Sequence, residues 1–237
     1  MIVISIIEIV YSHPQSDQMY LARIAELVRK DFLVEIRNAQ TISAIVLFTL
    51  TVVFIVYKSF NALAPLQWNV MLWIVVLISS LNALVKSFSA DAAKTSLFYY
   101  TLYHPTEVIV AKIVYNFMLT LVIFLIAYVA FGFFMVNPVK DFGLFIQGAC
   151  LGLFGICTIF SFVSAIISSQ ESGVVLLMSV LALPLTIPCM LLLIKISSVS
   201  MRLMVDSSVG NDLLILAGID ILLVGLVVLL FGELWKS

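Results

Sequence analysis

The sequence predicts an all-α integral membrane protein, with six transmembrane helices preceded by an amphipathic interfacial helix. Three observations predict it. Of the 237 residues, 63% are hydrophobic and 11% charged, against roughly 25% charged in soluble domains. Six long apolar runs fill most of the chain and hold few charges. Backbone groups in lipid must be satisfied within a helix or a closed barrel, and no strands of about ten residues alternating in polarity, as a barrel needs, are present.

In chain order, residues 1–18 form an N-terminal extension of unsettled order, with Met19 the expected start. The run at its beginning is apolar but short, contains Glu8 and lacks a basic n-region or an A-x-A site, which makes it a poor signal peptide. Residues 19–40 are amphipathic. Leu21, Ile24, Leu27, Val28, Phe32 and Ile36 recur at helical spacing, with Arg23, Glu26, Arg29, Lys30 and Arg37 on other faces. Two readings stand, a helix lying on the membrane surface with its cations at the headgroups and a helix packed on its own protein. The span that follows at once favours the first.

Residues 41–237 supply the six spans, at 42–57, 68–85, 108–136, 142–168, 174–194 and 213–234. A crossing takes about 20 residues, so the first run is short, while the third and fourth must tilt or project. Span four holds Gly148, Gly152 and Gly155, the first two a small-xxx-small pair that lets helices approach. Span five holds Pro184 and Pro188 in LALPLTIPCMLLL. Each removes a helical hydrogen bond, which predicts a kink or break toward the outer end. Span six holds Asp220 near its middle. An intramembrane carboxylate marks a pathway or helix interface, or is a protonated or hydrogen-bonded acid that faces a neighbouring helix and only packs.

Of the 12 Lys and Arg, eight fall on one side: Arg23, Arg29, Lys30, Arg37, Lys86, Lys94, Lys112 and Lys236. Lys58, Lys140, Lys195 and Arg202 fall on the other. Basic residues stay inside, so both termini are expected in the cytoplasm. The loop 86–107 is the most distinctive cytoplasmic element. Asp91 to Tyr103 predict a short helix capped by Ser89, with Leu97, Phe98, Tyr100 and Tyr103 on an aromatic face, His104–Pro105 ending it and Glu107 opening the next helix. The aromatic face suits either a protein partner or a re-entrant helix returning onto the bundle.

Other chemistry is sparse. Cys150, Cys157 and Cys189 lie in spans without further metal-type ligands and read as packing residues. His13 and His104 lie outside the spans, so no imidazole is offered there to a haem iron or proton relay. Met201 and Met204 read as packing or partner contacts. The formal net charge of -1 gives no argument for nucleic acid. No nucleophile–base or metal constellation points to an enzyme, and no G-x-x-x-x-G-K-[ST] run binds nucleotide phosphates.

Three stretches carry a resemblance. VLLMSVLALPLTIP (175–188), RKDFLVEIRN (29–38) and EVIVAKIV (107–114) resemble the cytochrome c maturation protein B family, also called haem exporter protein B. The first is close to an LLSILVLPLTIP run of the family's fifth span. The likeness runs from residue 19 to the C-terminus. It implies a permease subunit of ABC exporter type in a bacterial inner membrane, with ATP hydrolysed on a separate ATPase subunit of A type. It also implies a second permease copy, a haem-handling C subunit, a small D subunit and, indirectly, a haem chaperone. Residues 19–40 would be the elbow helix. Asp91, Leu97, Phe98, Tyr100, Tyr103 and His104 would form the coupling helix that meets the ATPase. No cofactor is expected to bind directly; the ATP hydrolysis is expected to drive either export of haem, as a candidate transported species, or release of the haem-loaded chaperone. The turn 169–172 departs from the basic, Gly-containing loop of some relatives, which removes the basis for a charge-based contact there. Two alternatives accompany this reading: a scaffold that assembles the maturation complex without transport, and a permease for another hydrophobic substrate.

Overall fold

The structure, a computed structural model, describes residues 14–37, 39–60, 63–92, 105–167, 174–204 and 208–234. Among these residues there are seven helices and no strand: α1 (Pro14–Arg37), α2 (Ala39–Ser59), α3 (Pro65–Ala92), α4 (Pro105–Phe134), α5 (Phe142–Ile167), α6 (Val174–Ser200) and α7 (Val209–Leu234). α2 to α7 are each long and apolar enough to cross a membrane. The chain is therefore an all-helical, multi-pass membrane protein.

Local chemistry sets the helix ends. α3 opens on Pro65, whose missing N–H costs nothing at a first helical position. The Gln67 side chain accepts the Ala64 N–H at 3.0 Å, in the manner of a capping box. Asp141 caps α5, its carboxylate accepting the Leu144 N–H at 3.0 Å. α6 ends in a Schellman turn. The Leu203 N–H reaches back to Ser198 O at 3.1 Å and the Arg202 N–H to Val199 O at 2.9 Å, with Arg202 left-handed at φ 56°.

Three expectations are corrected. α6 runs unbroken from Val174 to Ser200 with Pro184 and Pro188 inside it, so of the kink or break expected the break is absent. In lipid the backbone must be satisfied within the segment, and membrane helices tolerate proline without ending. Ser89 does not cap a new helix, because α3 continues through it to Ala92. The polar residues there end the apolar run without ending the helix. α4 opens at Pro105 rather than at Glu107, proline suiting a first helical position.

α1 packs on its own protein through part of its apolar face. Ile24 and Leu27 are buried against Ala111 of α4, with Val108 and Val110 alongside. Farther along, Phe32, Leu33, Val34 and Ile36 are exposed, an apolar surface suited to lipid.

α5 is the centre of the bundle and packs against α4, α6 and α7. Its glycines set the spacing to α6. A Cβ on Gly152 would lie 2.6 Å from Leu193 Cδ2, and one on Gly148 would lie 2.7 Å from Ile196 Cγ2. The small-xxx-small pair is thus a close helix contact. Beside it Trp73 of α3 stacks on Phe124 of α4, ring centroids 5.5 Å apart, and both meet Phe145 of α5.

Candidate functional site

Asp220 lies in the seam between α5, α6 and α7 and is 3% exposed. A Cβ added to Gly155 would fall 2.5 Å from its Oδ1 and 3.4 Å from the Cys189 sulfur. Gly155 therefore makes the room that the carboxyl occupies. Neither carboxyl oxygen has a hydrogen-bond partner. Of the readings for this acid, a helix interface matches its place. A protonated acid facing a neighbouring helix with no role beyond packing matches that place equally.

The end of the bundle where α6 stops is held by polar contacts between helices distant in sequence. Asn69 of α3 donates through Nδ2 to Ile194 O and to Ser198 Oγ, both at 2.9 Å. Trp73 Nε1 donates to Ser197 Oγ at 3.0 Å, and that hydroxyl donates on to Leu193 O at 2.7 Å. The Lys140 and Asp141 N–H groups donate to Ser200 O, tying the α4–α5 connection to the end of α6. Lys195 pairs with Asp212 of α7 at 2.7 Å. These contacts form a latch joining α3, α6 and α7.

At the opposite end, Arg23 of α1 pairs with Glu107 of α4 at 3.6 Å, with Glu107 almost fully buried. Between the two ends, Asn116 of α4 donates to Ser161 Oγ of α5 at 2.8 Å. Sequence reasoning missed the roles of Asn69, Trp73 and Asn116. Their partners lie 45 to 129 residues away, and no local spacing announces them. An amide or indole within an otherwise apolar run was the available signal.

Of the coupling residues, Asp91 lies in the last turn of α3. Leu97, Phe98, Tyr100, Tyr103 and His104 lie outside the described residues. Pro184 and Pro188 are both exposed on α6. The cysteines do not gather: Cys150 is exposed, while Cys157 and Cys189 are buried. Met201 packs into the core and Met204 is exposed. Among the described residues no group of three His, Cys, Asp or Glu is placed to hold a metal ion.

The arrangement is a membrane bundle with polar ties at both ends and a lone acid between helices. The sequence model of the family described as CcmB protein matches residues 22–233. The chain belongs to the CcmB family. CcmB proteins are permease-type membrane subunits, not themselves catalytic, of the cytochrome c maturation haem-export ABC system, which includes an ATPase partner. No curated protein matches the chain.

Proposed function

We propose that this CcmB chain is a mechanical permease that converts ATP hydrolysis on a partner subunit into export of haem or release of a haem-loaded chaperone. One observation supports this reading above the others. α3 is a continuous helix of 28 residues, about 42 Å long, with Asp91 at one end and the Asn69–Trp73 latch to α6 near the other. A push at the Asp91 end is transmitted along one rigid element to the far ends of α3 and α6. α4 begins immediately after the same loop and is tied to α1 through Glu107 and Arg23. Leu97, Phe98, Tyr100, Tyr103 and His104, between those two helices, would take the ATPase contact, with residues 19–40 as the elbow. Asp220 would set the α7 contact that the movement must preserve or rearrange.

The assembly proposed is two permeases with two ATPases, joined by the C and D subunits in a bacterial inner membrane, with both termini cytoplasmic. ATP binds the partner and haem is cargo. Changing Phe98, Tyr100 and Tyr103 together to Ala should abolish co-purification of the ATPase, and unchanged co-purification would sink the coupling assignment.

A second reading, the non-transporting scaffold, draws on a separate observation. Asn69, Trp73 and Asn116 each donate a side-chain hydrogen bond to a neighbouring helix, and no histidine lies in a span. Sealed liposomes holding a haem-binding reporter separate the two. ATP added outside should deliver haem to the reporter if this chain is a permease, with a hydrolysis-dead ATPase as control. ATP-dependent release of chaperone without haem arrival would make it a force-transmitting subunit, and neither event would leave the scaffold.

A further inference from the structure

α7 is largely a surface helix. Of its span 22% is buried, and Leu214, Ile215, Ile221, Leu222 and Leu229 are exposed. Apolar contact alone does not hold such a helix, because lipid offers the same contact. Two of its acids reach the bundle. Asp212, near the start of α7, pairs with Lys195 of α6 at 2.7 Å. Asp220 enters the seam with α5 and α6, in the room that Gly155 leaves.

The neighbouring helices bring Asp220 no cation. From α6 comes the Cys189 sulfur, 3.4 Å from a Cβ placed on Gly155, and from α5 the Cys157 thiol, within electrostatic reach of the carboxyl. Lys195 stands about 9 Å along α6 from Cys189, and its partner Asp212 about 12 Å along α7 from Asp220. From α4, Lys112 adjoins Ile113, which packs with Cys157 and Val227, about 10 Å along α7 on the other side. Neither carboxyl oxygen has a hydrogen-bond partner among the described residues. A neutral acid in this seam lacks only its hydrogen bonds. A carboxylate there is a buried charge without a counter-charge, a far costlier state.

We propose that the seam is a proton-binding site whose occupancy governs the docking of α7. With a proton on Asp220, the acid fits the room beside Gly155 and α7 stays against α5 and α6. Without it, the carboxylate needs a partner, and ionised side chains within spans sit at water-filled cavities or beside paired charges. With no cation at hand, water enters between α7 and the α5–α6 pair. The proton passes to that water as the seam opens and returns from it on closure. Closure binds one proton, so raising the pH favours the open seam. None of this rests on the haem-export reading, because the opening of α7 needs neither ATPase nor haem.

A native cysteine supplies the test. The full chain in lipid nanodiscs is treated with a small, charged, water-soluble methanethiosulfonate over a range of pH, and modification of the buried Cys189 is read by mass spectrometry. Asp220→Asn, neutral at every pH and close in shape, carries the same cysteine and corrects for ionisation of the thiol itself. Relative to that variant, wild-type labelling of Cys189 should rise with pH, by up to about tenfold per pH unit for the release of one proton. The infrared carbonyl stretch of an un-ionised carboxylic acid, absent from Asp220→Asn, should fade over the same range. A wild-type chain whose labelling tracks Asp220→Asn at every pH overturns the proposal and leaves an acid that only packs. So does an acid band that fades while Cys189 stays protected, which is ionisation without opening. Should Asp220→Asn fail to fold, Asp220→Ala, neutral as well, is the comparison for both readouts.

Discussion

α5 and α2 are similarly apolar and both long enough to span, yet they occupy different surroundings. Of α5's span 56% is buried inside the bundle, against 17% of α2's. α2 presents Leu47, Leu50, Phe54 and Ile55 outward, whereas α5 presents Gly148, Gly152 and Gly155 to its neighbours. In water, apolarity would decide which helix is buried. In lipid it cannot, since the surroundings are as apolar as leucine. Small residues that permit contact, and polar groups that need partners, decide instead.

The sharpest way to break this comparison is to add bulk to α5. Gly152→Leu drives carbon into Leu193, and overpacking of this kind costs about 3 kcal/mol. The same change at Gly218 of α7, where nothing lies within 4 Å of an added Cβ, should leave the thermal unfolding midpoint in detergent nearly unmoved. Equal losses at both sites would mean that close approach to α6 is not what holds α5.

A smaller effect is expected at the acid. Gly155→Ala should destabilise by about 1–3 kcal/mol, because its Cβ meets the Asp220 carboxyl. Asp220→Ala should relieve that clash, so the double variant should be more stable than the two single losses added together. Strict additivity in the cycle would separate the two residues.

Next comes the latch. Asn69→Ala removes the bonds to Ile194 O and Ser198 Oγ, and interhelical hydrogen bonds in membranes average about 0.6 kcal/mol each. The loss of stability should be about 1 kcal/mol, read from the same unfolding curves. If stability is unchanged while ATP-dependent activity falls, the latch transmits motion without holding the fold.

The smallest effect belongs to α2. Leu50→Ala, on the exposed face, should change stability by less than about 0.5 kcal/mol. A larger loss would show that this face is covered in the membrane.

The sequence made the fold legible wherever a pattern is local. Six apolar runs located six spans, and helical spacing of Ile24, Leu27 and Ile36 located α1. Gly148 and Gly152, four apart, pointed to a close helix contact, and Asp220 stood out against leucine and isoleucine. Features that depend on distant partners were not legible. Nothing near Asn69 names Ser198, and nothing near Arg23 names Glu107. Helix ends were hidden for a different reason. Polarity marks where lipid stops, so the apolar run ended at Val85, while α3 continues for seven more residues to Ala92. The two prolines left a kink and a break open, and α6 stays continuous because a chain in lipid must satisfy its backbone within the helix.

The seat that Gly155 makes for Asp220 bears on how the chain is made as well as how it stands. α7 leaves the ribosome after the other five spans and is the most apolar of the six. A carboxylate at the centre of a nascent span opposes insertion by about 2.5–3.5 kcal/mol, and the leucines, isoleucines and valines around Asp220 offset it. α7 can thus leave the translocon unaided, but its acid finds a place only once α5 and α6 have paired around Gly155. Biogenesis then has an order, the α5–α6 pair first and α7 docking onto it. Chains truncated before Val209 should insert five spans normally, and a detached α7 supplied later should be captured by wild-type chains but not by those with Gly155→Leu.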